Sequence, residues 1–279
     1  MIMEIDHLRG WIGREDSLSE ILTPTLVARF AATFDRDVPL DNGADAPAMI
    51  HLCLCHPAAP TTALASDGHP RRGGFLPPVP LPRRMWAGGE IVFAAAPRIG
   101  ETITRRSVIE DVATKQGRSG ALCFVTVRHH YTAGERRLLS ERQDIVYREA
   151  AQPGTTPPAP PPAESGPYRR SLTAGPALLF RYSALTFNGH RIHYDLPYAT
   201  ETEGYPGLMV HGPMQATLLA QMAEDQRGTP PKTFRFRSLS PLFDRAPVML
   251  NARDDGAGGV SLWTSAPGGP VAMEAQATW

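Results

Sequence analysis

Apolar positions along this chain fall at two spacings, and the change from one to the other marks out its elements. From Thr23 to Phe34 (TPTLVARFAATF) they follow a helical period, with a threonine to cap the first turn and a proline inside it. Beyond that point they alternate with polar residues or gather in short runs. Gly89–Ala95, Thr102–Val112, Ala121–Tyr131 and Gln143–Tyr147 are predicted strands, and LCFVTVRHHY is especially rich in β-branched and aromatic residues. Thr114 to Gly120 (TKQGRSG) has the composition of a hairpin turn between two of them.

The same order then returns. Ala177–Tyr182 is predicted as a strand and Ser183–Tyr194 as an irregular polar stretch. His211–Ala223 (HGPMQATLLAQMA) is predicted as a helix with Pro213 in its first turn. Strands follow at Thr233–Arg237, Val248–Arg253, Val260–Thr264 and Ala272–Thr278. Between the two series lies Ala151–Pro167, where seven of 17 residues are proline. Proline fixes φ and lacks a backbone donor, so this stretch reads as an extended connector. Residues 1–150 are therefore expected to form one unit, 151–167 a linker and 168–279 a second unit. A helix followed by antiparallel strands, twice over, predicts an α+β fold of two similar units.

Composition narrows the function. The chain has 279 residues, 42% of them apolar and 20% charged, as in folded globular proteins. Lys+Arg and Asp+Glu both total 28, and no nucleic-acid motif occurs, so a nucleic-acid partner is not expected. The N-terminus has acidic residues and no apolar core of a signal peptide. No apolar run approaches the ~18 residues needed to span a membrane, so a membrane partner is not expected, and the sparse cysteines are those expected of a reduced, cytoplasmic protein. Cys53, Cys55 and Cys123 are too few, and odd in number, for a disulfide framework. Cys53-Leu54-Cys55-His56 lacks a second ligand pair, so no metal is expected.

The most informative stretch runs from Phe180 to Met214, FRYSALTFNGHRIHYDLPYATETEGYPGLMVHGPM. It resembles the hydratase signature of the MaoC-like family, in which an acidic or amide residue stands five positions before a histidine. Asn188 and His193 occupy those positions here, and His211-Gly212 matches the His-Gly pair that opens the family's central helix. The resemblance is closer to the FAS1-like dehydratase branch, which comprises HTD2-type dehydratases and the itaconyl-CoA and mesaconyl-C4-CoA hydratases. Glu203–Leu208 (EGYPGL), Phe75–Trp86 (FLPPVPLPRRMW) and Gly117–Val127 (GRSGALCFVTV) are similar to that branch. The resemblance implies a double hotdog fold, each unit a central helix wrapped by a curved antiparallel sheet. It implies reversible hydration of an α,β-unsaturated acyl-CoA, with a C5 dicarboxylic acyl group as first choice. Dehydration of a 3-hydroxyacyl thioester is the alternative within the class. A hotdog thioesterase and a non-catalytic acyl-CoA-binding partner subunit are the alternatives outside it. No cofactor is implied, since coenzyme A belongs to the substrate, and pairing into a homodimer or higher oligomer stays open.

The chemistry suits the residue types. Hydration needs a base for water, a proton for Cα and donors for a thioester oxygen that gains charge. A histidine titrating near neutrality can take and return the proton, and His193 is expected to do so. Asn188 can orient that imidazole or the water. Many MaoC hydratases have aspartate there; an amide cannot be a general base, which puts a two-residue acid/base scheme in question. By the resemblance, the Gly212 N–H is the oxyanion donor, at a helix N-terminus with unpaired N–H groups. His211 either touches substrate or packs at the helix start, His190 is expected to face outward, and Asp195 to cap a loop. Arg83 and Arg84 are candidate contacts for coenzyme A phosphates, with a solvated strand end as the plain reading. The first half has Ala31–Asp37 but no Ile-His partner, and His51 and His56 without a following glycine. It is expected to be degenerate, with structural and CoA-groove roles, leaving one active site per chain.

Overall fold

Proline in the first turn starts three of the helices, where its missing N–H costs nothing and its fixed φ suits the turn. The computed structural model describes residues 4–117, 120–149 and 160–279. In chain order the elements are α1 (Ile5–Arg9), β1 (Glu15–Ile21), α2 (Pro24–Thr33), β2 (Arg83–Phe93), β3 (Thr102–Gly117), β4 (Gly120–Ala133) and β5 (Arg136–Arg148). The second series is β6 (Tyr168–Leu172), α3 (Pro176–Leu185), α4 (Gly212–Arg227), β7 (Thr233–Ser238), β8 (Val248–Asp254), β9 (Val260–Ser265) and β10 (Val271–Thr278).

The strands form one antiparallel sheet of ten, ordered β1-β3-β4-β5-β2-β7-β10-β9-β8-β6. That order is a palindrome about the β2–β7 seam, where Gly88 to Val92 pair with Arg237 to Thr233. Each series therefore contributes five strands in the same relative order, and the fold is α+β.

Helix α4 is the centre of the second series. Met214 to Ala223 are buried apart from Leu218, so the helix is covered nearly all round. The sheet curves over it with Phe234, Phe236, Leu250, Leu262, Ala272 and Ala275 in the same cluster. Gln215, buried on this helix, accepts from Thr264 Oγ1 at 2.7 Å, so its burial leaves no unpaired acceptor. Gly228 ends the helix at φ +74° and donates to Glu224 O. In the first series the stretch between α2 and β2 holds only two 3₁₀ turns, Ile50–Cys53 and Thr61–Ala63. The main apolar cluster nevertheless runs through both series, and a smaller one joins Leu8, Val79 and Leu81 to β3 and β4.

Three predictions need correction. Ala177–Tyr182 is helical, as the middle of α3, because Leu179, Tyr182 and Ser183 bury one helical face after Pro176. The strand of that region is β6, on the sheet edge, whose residues are mostly exposed and so give no alternating signal. β2 and β5 start earlier than predicted because the polar Arg83–Arg84 and Arg136–Arg137 join the ladder. Of the proline-rich stretch, residues 151–159 lie outside the described residues. Residues 160–167 hold no regular element, and the Ala163 and Gly166 N–H groups donate to Gly269 O and Asn251 Oδ1.

Candidate active site

His193 closes a single 3₁₀ turn, Arg191–His193, in the segment that leads from α3 towards α4. Its ring is buried, and Nδ1 lies 2.8 Å from the carbonyl oxygen of Met209. A carbonyl only accepts, so Nδ1 carries the hydrogen and Nε2 keeps a free lone pair. Met209 is itself fixed, its N–H donating to Ile192 O at 3.0 Å. Burial pushes the His193 imidazolium down to about 4, partly offset by the Met209 carbonyl. The ring is thus neutral through the physiological range and ready to accept a proton.

His211 is the residue at the N-cap of α4, but its side chain does not cap. The ring stacks on His193, with centroids 3.7 Å apart and planes at 18°, and Nε2 lies 2.8 Å from Ser183 Oγ. Its buried Nδ1 has no partner among the described residues. Burial and the neighbouring His193 and His190 hold its pKa well below the ordinary histidine value. Gly212 then opens α4 with Pro213 after it, so the helix presents its first N–H groups beside the stacked imidazoles. An ideal Cβ on Gly212 would stand 3.1 Å from Trp86 Cε3, and the Trp86 ring stacks on Phe236 with centroids 4.2 Å apart. A side chain there would have to displace the indole by a few tenths of an ångström.

Asn188 lies five residues before His193 but contacts neither its ring nor its backbone among the described hydrogen bonds. Its Oδ1 accepts from the His190 N–H at 3.0 Å, forming an Asx turn. His190 is turned inward, its ring 5.4 Å from that of His193, which corrects the expectation that it faces solvent. Asp195 caps the next turn by accepting from Tyr198 N and pairs with Arg191. Arg83 is held by Glu203, through its backbone oxygen at 3.1 Å and its carboxylate at 3.6 Å. Arg84, half-buried on the strand that carries Trp86, has no carboxylate partner among the described residues. Its charge helps to depress both His69 and His190.

Sequence reasoning missed Asp67 and His69. They belong to a turn of the first series, and the Arg191 N–H and guanidinium bond to the Asp67 and Ser66 carbonyls at 2.9 and 3.0 Å. Asp67 Oδ1 accepts from His69 N, and Oδ2 lies 3.0 Å from His69 Nδ1. The His69 and His190 rings are 4.1 Å apart. A signal was present: Asp67-Gly68-His69 and Asn188-Gly189-His190 are the same Asx-Gly-His pattern. Ligand atoms of Asp67, His69 and His190 lie within 4.8 Å of one another. Asp67 is already engaged by His69, and Arg72 and Arg84 put positive charge beside the group, so a cation is disfavoured there. Cys53, Cys55 and Cys123 are free and buried.

The family described as hydroxyacyl-thioester dehydratase type 2 matches residues 49–244. A relative from Chloroflexus aurantiacus named mesaconyl-C(4)-CoA hydratase is 45% identical over 277 residues, covering 95% of each chain. Among solved structures, a MaoC-like dehydratase from Phytophthora capsici superposes with a TM-score of 0.70 at 14% identity, covering 99% of this chain and 98% of that one. A Mycobacterium tuberculosis protein described as having a double hotdog fold gives 0.59 at 13% identity, with 95% of each chain covered. The fold is therefore the double hotdog.

Proposed function

The chain belongs to the hydroxyacyl-thioester dehydratase type 2 family and is a hydro-lyase, and within that family we propose that it hydrates a C5 dicarboxylic enoyl-CoA. Mesaconyl-C4-CoA and itaconyl-CoA are the substrates put forward, both giving citramalyl-CoA. The observation that carries the site assignment is a neutral His193 with Nε2 free, held beside the open N-terminus of α4.

In this reading, with mesaconyl-C4-CoA bound, water sits near His193, and Nε2 takes its proton as the oxygen attacks Cβ. The thioester oxygen gains charge and is met by the Gly212 N–H, a kind of contact worth roughly 3–4 kcal/mol in a water-poor site. His211 holds the His193 ring flat against its own, and Asn188 shapes the loop that delivers it. Arg84 meets an anionic part of the acyl-CoA, while Arg83 steadies the Glu203 loop at the mouth. The reaction needs no further cofactor, and residues 1–150 supply structure and part of the groove. The three unpaired cysteines fit a reducing compartment such as the cytoplasm. No described helix is long and apolar enough to cross a membrane.

The family name favours one second reading, dehydration of a 3-hydroxyacyl thioester. Absorbance at the enoyl-thioester band separates the two. Wild type should bleach mesaconyl-C4-CoA faster than crotonyl-CoA, and His193→Ala should lose at least about 100-fold in kcat. Preference for crotonyl-CoA would support the second reading, and equal rates for wild type and His193→Ala would remove His193 from the chemistry.

A further inference from the structure

Hydration moves two protons, and His193 accounts for one of them. Asn188 does not supply the other, because its Oδ1 is bonded to the His190 N–H and an amide has no proton to give at neutral pH. The turn at Asp67-Gly68-His69 faces the turn at Asn188-Gly189-His190 so closely that an ideal Cβ on Gly68 would stand 1.8 Å from Gly189 O. That contact brings a carboxylate-backed imidazole from the first series into a row of rings, His69, His190, His193 and His211. Asp67 occupies Nδ1 of His69, so Nε2 is the nitrogen left for substrate. The His69 side chain keeps 19% of its surface accessible, whereas His193 is closed in.

We infer that His69, held by Asp67, is a second acid/base residue of the hydration reaction, delivered to the site by the first half of the chain. The inference rests on the hydratase reading above. As the water oxygen bonds to Cβ, His193 Nε2 takes a water proton and the C=C electron pair moves toward the thioester oxygen. His69, as an imidazolium paired with the Asp67 carboxylate, gives its Nε2 proton to Cα while the enolate collapses. His193 is left charged and His69 neutral. The proton then passes back through His190, whose ring lies against both, or through water, and the starting state returns. Dehydration runs the same steps in reverse.

The groups facing His69 set its pH range. Burial lowers its pKa, the Asp67 hydrogen bond raises it, and the charges of Arg84 and Arg72 lower it again, for a net fall below the ordinary value. The neutral His190 ring packs on its other side. The working enzyme holds one proton on the His69–His193 pair, so kcat/KM against pH is bell-shaped. The alkaline limb, where His69 loses its proton, lies on the acid side of neutrality.

The test is kcat/KM against pH for wild type, His69→Gln, Asp67→Asn and His69→Ala with added imidazole, each first checked for a native melting curve. His69→Gln should lose about 100-fold or more in kcat together with the alkaline limb. Asp67→Asn should move that limb to lower pH, because the anion holding the proton is gone. Imidazole should restore part of the activity of His69→Ala. A His69→Gln rate within about threefold of wild type would overturn the assignment, given the usual size of acid–base effects. So would a uniform drop with an unchanged profile and no rescue, or activity lost to a chelator and restored by zinc. Wild type inactive on every enoyl-CoA overturns the hydratase reading itself. A dead His193→Ala beside an unaffected His69→Gln overturns His69 alone.

Discussion

At the scale of single residues, the proposed site depends on what is absent at Gly212 as much as on what His193 carries. A Cβ added to Gly212 would stand 3.1 Å from Trp86 Cε3, and the Gly212 N–H is the donor proposed for the thioester oxygen. Gly212→Ala would push Trp86 or the first turn of α4 by a few tenths of an ångström. We expect kcat/KM to fall by about 10- to 100-fold with the melting temperature nearly unchanged, since displaced oxyanion donors cost rate more than stability. Steady-state kinetics beside a thermal melt checks this. As a candidate, His193 was legible in the sequence because its signature is local, from Asn188 to His193. Its tautomer was not, because the partner is a carbonyl 16 residues away. Asp67 and His69 stayed hidden for the same reason at greater range, since the pairing of the two Asx-Gly-His turns depends on tertiary structure.

At the scale of elements, the strong periodic segments read true and the weak ones did not. Helices α2 and α4 have proline at the first turn and a buried stripe or core, so propensity and burial agree. α3 has the same proline start, but ALLFRY within it is rich in residues that also suit strands. Packing decided the matter, with the Phe34 ring of the α2 end edge-on to Tyr182 at 6.0 Å. Edge strands β1 and β6 were invisible because mostly exposed residues carry no alternation. Loops matter more than elements for the site, and Gly68 is where they meet. Its φ of +88° and the Gly189 carbonyl both exclude a side chain. Gly68→Ala should part the two turns and cut kcat by about tenfold or more, with stability lowered by roughly 1 kcal/mol for the strained backbone. Denaturant melts alongside turnover measurements distinguish the two effects.

At the scale of the whole molecule, several imidazoles are harder to protonate folded than unfolded. His193 and His129 are pushed down to about 4, mainly by burial, and His190 and His211 are lowered in the same direction. Between the ordinary value of 6.5 and about 4, the unfolded chain binds protons that the native chain refuses. Stability is therefore full above that window and lost as pH falls through it. The melting temperature should drop by roughly 5 °C or more between pH 7 and pH 5, read by calorimetry at fixed ionic strength. The two-unit α+β plan was legible in the repeated order of elements. The palindromic sheet and the loss of a long helix from the first series were not, because pairing partners are set by packing and not by local pattern.

The β2–β7 seam has a consequence for how such a molecule can change. In a pair of identical chains joined at such a seam, every substitution is written twice, once on each side of the axis. Here both sides share one chain, and a substitution is written once. The first side could give up its helix without harming the second, and a turn such as Asp67–His69 could be fitted to a single centre across the seam. The palindromic sheet lies within a single chain, and neither side of it has to match the other.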